Sequence, residues 1–188
     1  DLRYIRLNNT PNHRALHTKI ATLENAAAGL VTASGMAAIS TTLMTVLSAG
    51  DHLLAQNCLY GGTYDFLSNT LPHLGIQTDF IDGHDPESWK SKLKKNTKAI
   101  YVETITNPLL QVAHLPEIVE FSQAHGLVSL IDNTFATPVN FRPLEIGFDV
   151  VLHSCTKYLN GHSDIVAGAV LGSQDHIEKI THRLNHFG

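Results

Sequence analysis

From residue 13 onward, apolar residues recur at helical spacing: Leu16, Ile20, Leu23 and Ala27. Pro11-Asn12 supplies a start signal for this helix, and Gly29 a stop. Residues 30–33 form a short apolar run that reads as a buried strand, punctuated by Ser34-Gly35. A second helix follows with Ile39, Leu43, Val46 and Leu47 on one face, ending at Gly50-Asp51. Residues 53–55 are strand-like, 61–71 helical and 76–81 extended. Asp85 can cap a helix whose first position is Pro86 and whose inner face carries Trp89 and Leu93. Residues 99–102 are a β-branched and aromatic strand. Leu115, Ile118, Val119 and Ser122 mark another helix. Residues 128–131, 150–152 and 167–171 are buried strands, and a last helix starts near Asp175.

Strand and helix alternate almost throughout. That pattern predicts an α/β fold, a three-layer αβα domain around a mostly parallel sheet. In such sheets ligands gather beyond the carboxyl ends of the strands. The chemically expressive residues fall there: Ser34, Tyr60, Asn107, Asp132, Ser154 and Lys157.

Each has an ordinary reading as well as a functional one. Ser34-Gly35-Met36 opens a helix whose free N–H groups can hold a phosphate, and it can equally be a common βα turn. Tyr60-Gly61-Gly62-Thr63 offers a ring to stack on a planar cofactor, or a ring to pack on the core. Asn107 can donate to a phenolic oxygen, while Asn107-Pro108 is also a turn starter. Asp132 ends a buried apolar run, where a carboxylate needs a partner. A protonated pyridine nitrogen, a helix cap or an ion pair would each serve. Lys157 is either a surface lysine or an imine-forming amine, with Ser154 and Thr156 beside it as hydroxyls suited to a phosphate. Taken together, these signals suit different atoms of one molecule, pyridoxal 5'-phosphate (PLP).

Composition narrows the classes. The chain has 188 residues, 43% of them hydrophobic and 16% charged, as expected of one globular domain. A net charge of -4 leaves no electrostatic footprint for nucleic acid. No apolar run approaches the ~20 residues of a membrane span. Two cysteines, Cys58 and Cys155, make no disulfide framework, and a reducing, cytoplasmic setting is expected. The chain opens on Asp1, and its methionines are Met36 and Met44, so it reads as a piece of a longer protein.

The stretches Ser34-Gly35-Met36-Ala37-Ala38-Ile39, Tyr60-Gly61-Gly62-Thr63, Glu103 with Asn107-Pro108, Asp132-Asn133-Thr134-Phe135-Ala136-Thr137-Pro138, and His153 through Asp164 run in one order over nearly the whole chain. In these the chain resembles the cystathionine and methionine metabolism family of PLP enzymes: cystathionine γ-synthase, the cystathionine β- and γ-lyases, methionine γ-lyase and O-acetylhomoserine sulfhydrylase. The resemblance implies the large domain of a fold type I, aspartate aminotransferase-like enzyme. It implies that Lys157 links covalently to PLP and that Asp132 holds the pyridine nitrogen. Tyr60 would stack on the ring and assist proton transfer, and Asn107 would contact the ring oxygen. Gly35, Met36, Ser154 and Thr156 would bind the phosphate. Tyr4 and Arg6 would reach the phosphate of a neighbouring subunit, so residues 1–12 would be an arm and residues 13–188 the PLP-binding domain of a homodimer or homotetramer. The implied chemistry is transsulfuration, the cleavage or formation of C–S bonds at Cβ or Cγ of a sulfur amino-acid substrate. Cystathionine γ-lyase or γ-synthase comes first, cystathionine β-lyase or O-acetylhomoserine sulfhydrylase second.

Three departures accompany the resemblance. The family commonly has Asn-Pro-Thr after its Tyr-x-Arg, where this chain has Asn8-Asn9-Thr10-Pro11. Methionine γ-lyases typically carry Cys where Gly62 stands, which disfavours that activity. The family's C-terminal domain, with its arginine for the substrate carboxylate, is absent from this chain.

Rival readings remain. Ser154-Cys155-Thr156-Lys157 also fits the SxxK motif of serine acylases, though no KTG element follows. His13 with His17, and His182 with His186, have the i,i+4 spacing of helical metal ligands, without a third ligand or an HExxH form. A fragment that binds PLP without turnover is a further alternative.

Overall fold

The computed structural model describes residues 4–187. Seven strands form one sheet: β1 Ala28–Thr32, β2 His52–Gln56, β3 Gln77–Ile81, β4 Thr97–Glu103, β5 Val128–Asp132, β6 Val150–Ser154 and β7 Gly168–Gly172. Their order is β1-β7-β6-β5-β4-β2-β3. β7 runs antiparallel to both of its neighbours, and the other pairings are parallel.

Helices cover both faces, because alternate side chains of each strand point to opposite sides. On one face Leu53, Tyr101, Leu130, Leu152 and Val170 meet Leu43 of α2 (Gly35–Val46) and Ile180 and Leu184 of α8 (Gln174–Phe187). On the other, Leu54, Ile100, Ile131, Val151 and Leu171 meet Ala21 of α1 (Pro11–Leu23), Trp89 of α5 (Pro86–Lys92), and Ile118 and Phe121 of α6 (Leu115–His125). This is the expected three-layer α/β architecture. α3 (Gly61–Asp65) continues through a π turn at Phe66–Thr70 into α4 (Leu71–His73), and α7 is the single turn Thr137–Asn140. Asp85 caps α5 by accepting the Glu87 N–H, as anticipated.

Two helix ends differ from the sequence reading. α1 stops at Leu23, not at Gly29, which lies inside β1. Asn25 adopts the left-handed conformation, φ 56°, and the Ala26 N–H returns to the Ala21 carbonyl. Asn is the usual substitute for Gly in such a stop. α2 ends at Val46, before Gly50-Asp51, because the Asp51 carboxylate takes the Ser48 N–H at 2.8 Å and folds a turn there.

The topology places the chemistry. β1, β6, β5, β4 and β2 all point the same way, so their carboxyl ends share one edge of the sheet. No described helix is long and apolar enough to cross a membrane.

Candidate active site

A cavity of about 320 Å³ opens at that edge. It brings together Gly35 and Met36 after β1, Tyr60 after β2, Asn107 after β4, Asp132 at the end of β5, and Ser154, Thr156 and Lys157 at and after β6. Tyr4 and Arg6 do not line it. Arg6 instead donates to the Asn185 carbonyl at the end of α8, 2.6 Å away, and Tyr4 is exposed. A broader groove between α1 and α8 holds none of the residues singled out at the strand ends.

The wall at the amino end of α2 follows from local sequence. Ser34 caps α2, its hydroxyl accepting the Ala37 N–H at 3.0 Å. Gly35 is there because nothing larger fits: a Cβ would lie 2.7 Å from Ser154 Cβ and 3.0 Å from Ser154 Cα. The amino end of a three-turn helix is thus pressed against the end of β6, with free N–H groups and positive potential toward the cavity. The Thr156 hydroxyl accepts the Ala167 N–H at 3.0 Å, which fastens the segment after β6 to the start of β7.

At the middle of the cavity stand two carboxylates. Asp132 is ringed by protein yet open to the cavity. Burial pushes its carboxyl up, opposed by the Thr134 hydroxyl and N–H, which both donate to Oδ1, and by the charge of His153. Glu103 is 4% exposed. Burial lifts its carboxyl to about 7, with the Asp132 charge adding to the rise and two backbone N–H bonds opposing it. Those N–H groups are Tyr60's, at 2.7 Å, and Asn107's, at 3.1 Å. One carboxylate therefore ties together the two loops that carry Tyr60 and Asn107. Neither Glu103 nor Thr134 was assigned a role from sequence. The Thr134 signal was an Asp-x-Thr spacing, in which a side chain folds back on the carboxylate.

The Tyr60 ring is half exposed over the cavity, and Gly62 makes room for it: a Cβ at 62 would lie 2.6 Å from Tyr60 Cε1. Lys157 is exposed at the mouth and its Nζ makes no ion pair with any described residue. Burial pushes the neighbouring Cys155 thiol up to about 12, so it is no nucleophile. Among the described residues no three His, Cys, Asp or Glu side chains could hold a metal ion.

The charged lining is two carboxylates and one amine. That set suits a planar ligand with a cationic N–H for Asp132, an anionic group for the amino end of α2, and a carbonyl that an amine can attack. PLP has all three.

Comparison with known proteins agrees. The model of the Cys/Met metabolism PLP-dependent enzyme family matches residues 1–188. A probable cystathionine gamma-synthase of Herpetosiphon aurantiacus is 46% identical over 186 residues, 98% of this chain and 58% of the relative. The crystal structure of cystathionine gamma-lyase from Lactobacillus plantarum, complexed with L-serine, superposes with a TM-score of 0.93 at 42% identity, covering 98% of this chain and 48% of that one. A putative O-acetylhomoserine (thiol)-lyase from Campylobacter jejuni, solved with a pyridoxyl-lysine monophosphate, gives 0.87 at 36% identity, covering 93% and 42%. The chain spans about half the length of these relatives.

Proposed function

Because this chain belongs to the Cys/Met metabolism family of PLP-dependent enzymes, we propose that it is the cofactor-binding part of a transsulfuration enzyme that cleaves or forms C–S bonds at Cβ or Cγ of a sulfur amino acid. Cystathionine γ-lyase or γ-synthase activity is the first reading, cystathionine β-lyase or O-acetylhomoserine sulfhydrylase the second. The serine-acylase reading of Ser154-Cys155-Thr156-Lys157 falls with the family assignment. The observation that carries the proposal is the convergence of Lys157, Asp132 and Tyr60 on one cavity from three strand ends.

When bound, PLP supplies an electron-withdrawing ring that accepts negative charge from the substrate's carbons. The residues do the rest. Asp132 holds the ring nitrogen in its protonated form, so that the ring stays electron-poor. Gly35, Met36 and Ser154 present N–H and hydroxyl groups to the phosphate at the amino end of α2, with Thr156 closing that wall. Asn107 contacts the ring oxygen, and Tyr60 covers the ring face. Lys157 would hold the cofactor covalently, and its amine, when free, would carry protons between Cα and the positions beyond it. Elimination at Cγ requires a second proton removal at Cβ, and a long side chain at the cavity mouth can reach both.

Assembly is part of the reading. Tyr4 and Arg6 lie outside their own chain's cavity, which suits a role at the phosphate of a neighbouring subunit in a homodimer or homotetramer. Cys58 and Cys155 are free thiols, which suits a cytoplasmic setting. The deciding experiment is turnover by the full protein that carries this chain on cystathionine, cysteine, methionine and O-acyl homoserines. Release of a thiol or of an oxo acid from the first group, or thiol-dependent consumption of the last, supports the proposal. Inertness toward all four with PLP bound rejects it.

A further inference from the structure

Beneath the cavity, on the opposite face of the sheet, lies a second ionisable cluster. Glu24, the residue that closes α1, is fully buried, and His153 of β6 is 1% exposed. His153 Nε2 donates to Glu24 Oε1 at 2.5 Å. Asn133 Nδ2 donates to the same oxygen at 2.9 Å and to the Phe141 carbonyl at 2.8 Å, while Asn133 Oδ1 accepts from the Thr104 hydroxyl at 2.8 Å. Glu24 Oε2 has no partner among the described residues.

A carboxylate this deep costs free energy unless a counter-charge is near. Among the described residues, His153 is the one basic side chain paired with it. The cluster holds together parts of the chain 129 residues apart, which apolar packing alone could do. Its position supplies another reason for it. His153 precedes Ser154, and Asn133 follows Asp132, so the cluster grips the far side of the two strand ends that carry the cavity's Asp132 and Ser154. The backbone completes the grip: the Asn133 N–H bonds to the Leu152 carbonyl, and the Thr104 N–H to the Asp132 carbonyl.

We propose that Glu24 and His153 are positioning residues for the cofactor: a buried carboxylate–imidazole pair that, from the far face of the sheet, keeps Asp132 ionised and aimed at the ring nitrogen. The inference rests on the reading of Asp132 as that nitrogen's partner. The positive charge of His153 opposes the effect of burial on the Asp132 carboxyl. On the cavity side Asp132 stands with the Glu103 carboxyl and the Lys157 amine, while burial and the Asp132 charge push the Tyr101 hydroxyl and the Cys155 thiol up, so both are neutral. Without the imidazole charge the Asp132 carboxyl lies higher and competes more strongly for the ring nitrogen's proton. Neither Glu24 nor His153 lines the cavity, so the effect is transmitted rather than direct.

The test reads the proton without turnover. The full protein is loaded with PLP carrying ¹⁵N in the ring, and the nitrogen resonance reports whether it is protonated. Wild type should show the protonated position. Glu24→Gln, close to isosteric, and His153→Phe should both move it toward the unprotonated position and weaken PLP binding by about tenfold, the equivalent of one pKa unit. Glu24→Asp, which keeps the charge, should recover part of the shift. Asp132→Asn is the control. If it abolishes ring protonation while Glu24→Gln and His153→Phe retain the wild-type resonance and affinity, the pair has no positioning role and the reading of Asp132 stands. If wild type itself shows an unprotonated nitrogen, the reading of Asp132 fails. Should both variants prove unfolded, ¹⁵N-histidine spectra of wild type decide: protons on both His153 ring nitrogens at neutral pH support the pair, and a neutral ring overturns it.

Discussion

Thr134 Oγ1 lies 2.5 Å from Asp132 Oδ1. The same hydroxyl accepts the Ser154 N–H at 2.8 Å, so one small side chain joins the end of β5 to the end of β6. Thr134→Val keeps the shape and loses both bonds. It should cost about 1–3 kcal/mol of stability, the range for stranding buried polar groups. It should also leave the Asp132 carboxyl higher, because a lowering influence is gone. Urea unfolding and a PLP titration check the two effects, and an unchanged PLP affinity would show that Thr134 only braces the backbone.

Glu103 gives a pH dependence of definite sign. Burial pushes its carboxyl up from the ordinary 4.5 to about 7 in the folded chain. Between those values the folded chain binds more protons, so stability falls as pH rises through that window. Glu103→Gln should flatten the slope, by at most ~3 kcal/mol across the window. Asp132 is shifted in the same direction, and its share remains in the variant. Unfolding curves from mildly acidic to neutral pH measure the difference, and identical slopes would remove Glu103 as its source.

Gly62 is the space the Tyr60 ring uses. Gly62→Ala should push the ring aside, since the new methyl would sit 2.6 Å from Cε1. Fold stability should change little, because the ring is half exposed and can move. If Tyr60 covers the ring as proposed, the visible absorbance of bound PLP should shift. A wild-type spectrum in Gly62→Ala would place Tyr60 away from the cofactor.

Arg6 separates a shared site from a solvated arm. Arg6→Ala should weaken PLP binding, and mixing with Lys157→Ala chains should restore part of the activity, because hybrid pairs regain one site with both residues intact. Absence of recovery despite confirmed subunit exchange would confine Arg6 to its contact with Asn185 in its own chain.

The layers and the strand-end positions were legible because buried strands advertise themselves as short β-branched runs and because parallel α/β sheets place ligands at one edge. Lys157 stood out through the company of Ser154, Thr156 and Asp132 rather than through its own environment. What the sequence did not reveal depends on backbone detail or on distant pairing. The stop after α1 was set by Asn25 in a left-handed conformation, a role assigned to Gly29 from the pattern. Glu103 acts through two backbone N–H groups whose approach is a matter of register. Glu24 and His153 meet only once the sheet is built.

The central claim, that Lys157 holds PLP in this cavity, is tested most directly by borohydride reduction of the PLP-loaded protein followed by peptide mapping. The visible absorbance should be lost on reduction, and the pyridoxyl label should be found on Lys157. A label on Lys179, or on no lysine, would contradict the account.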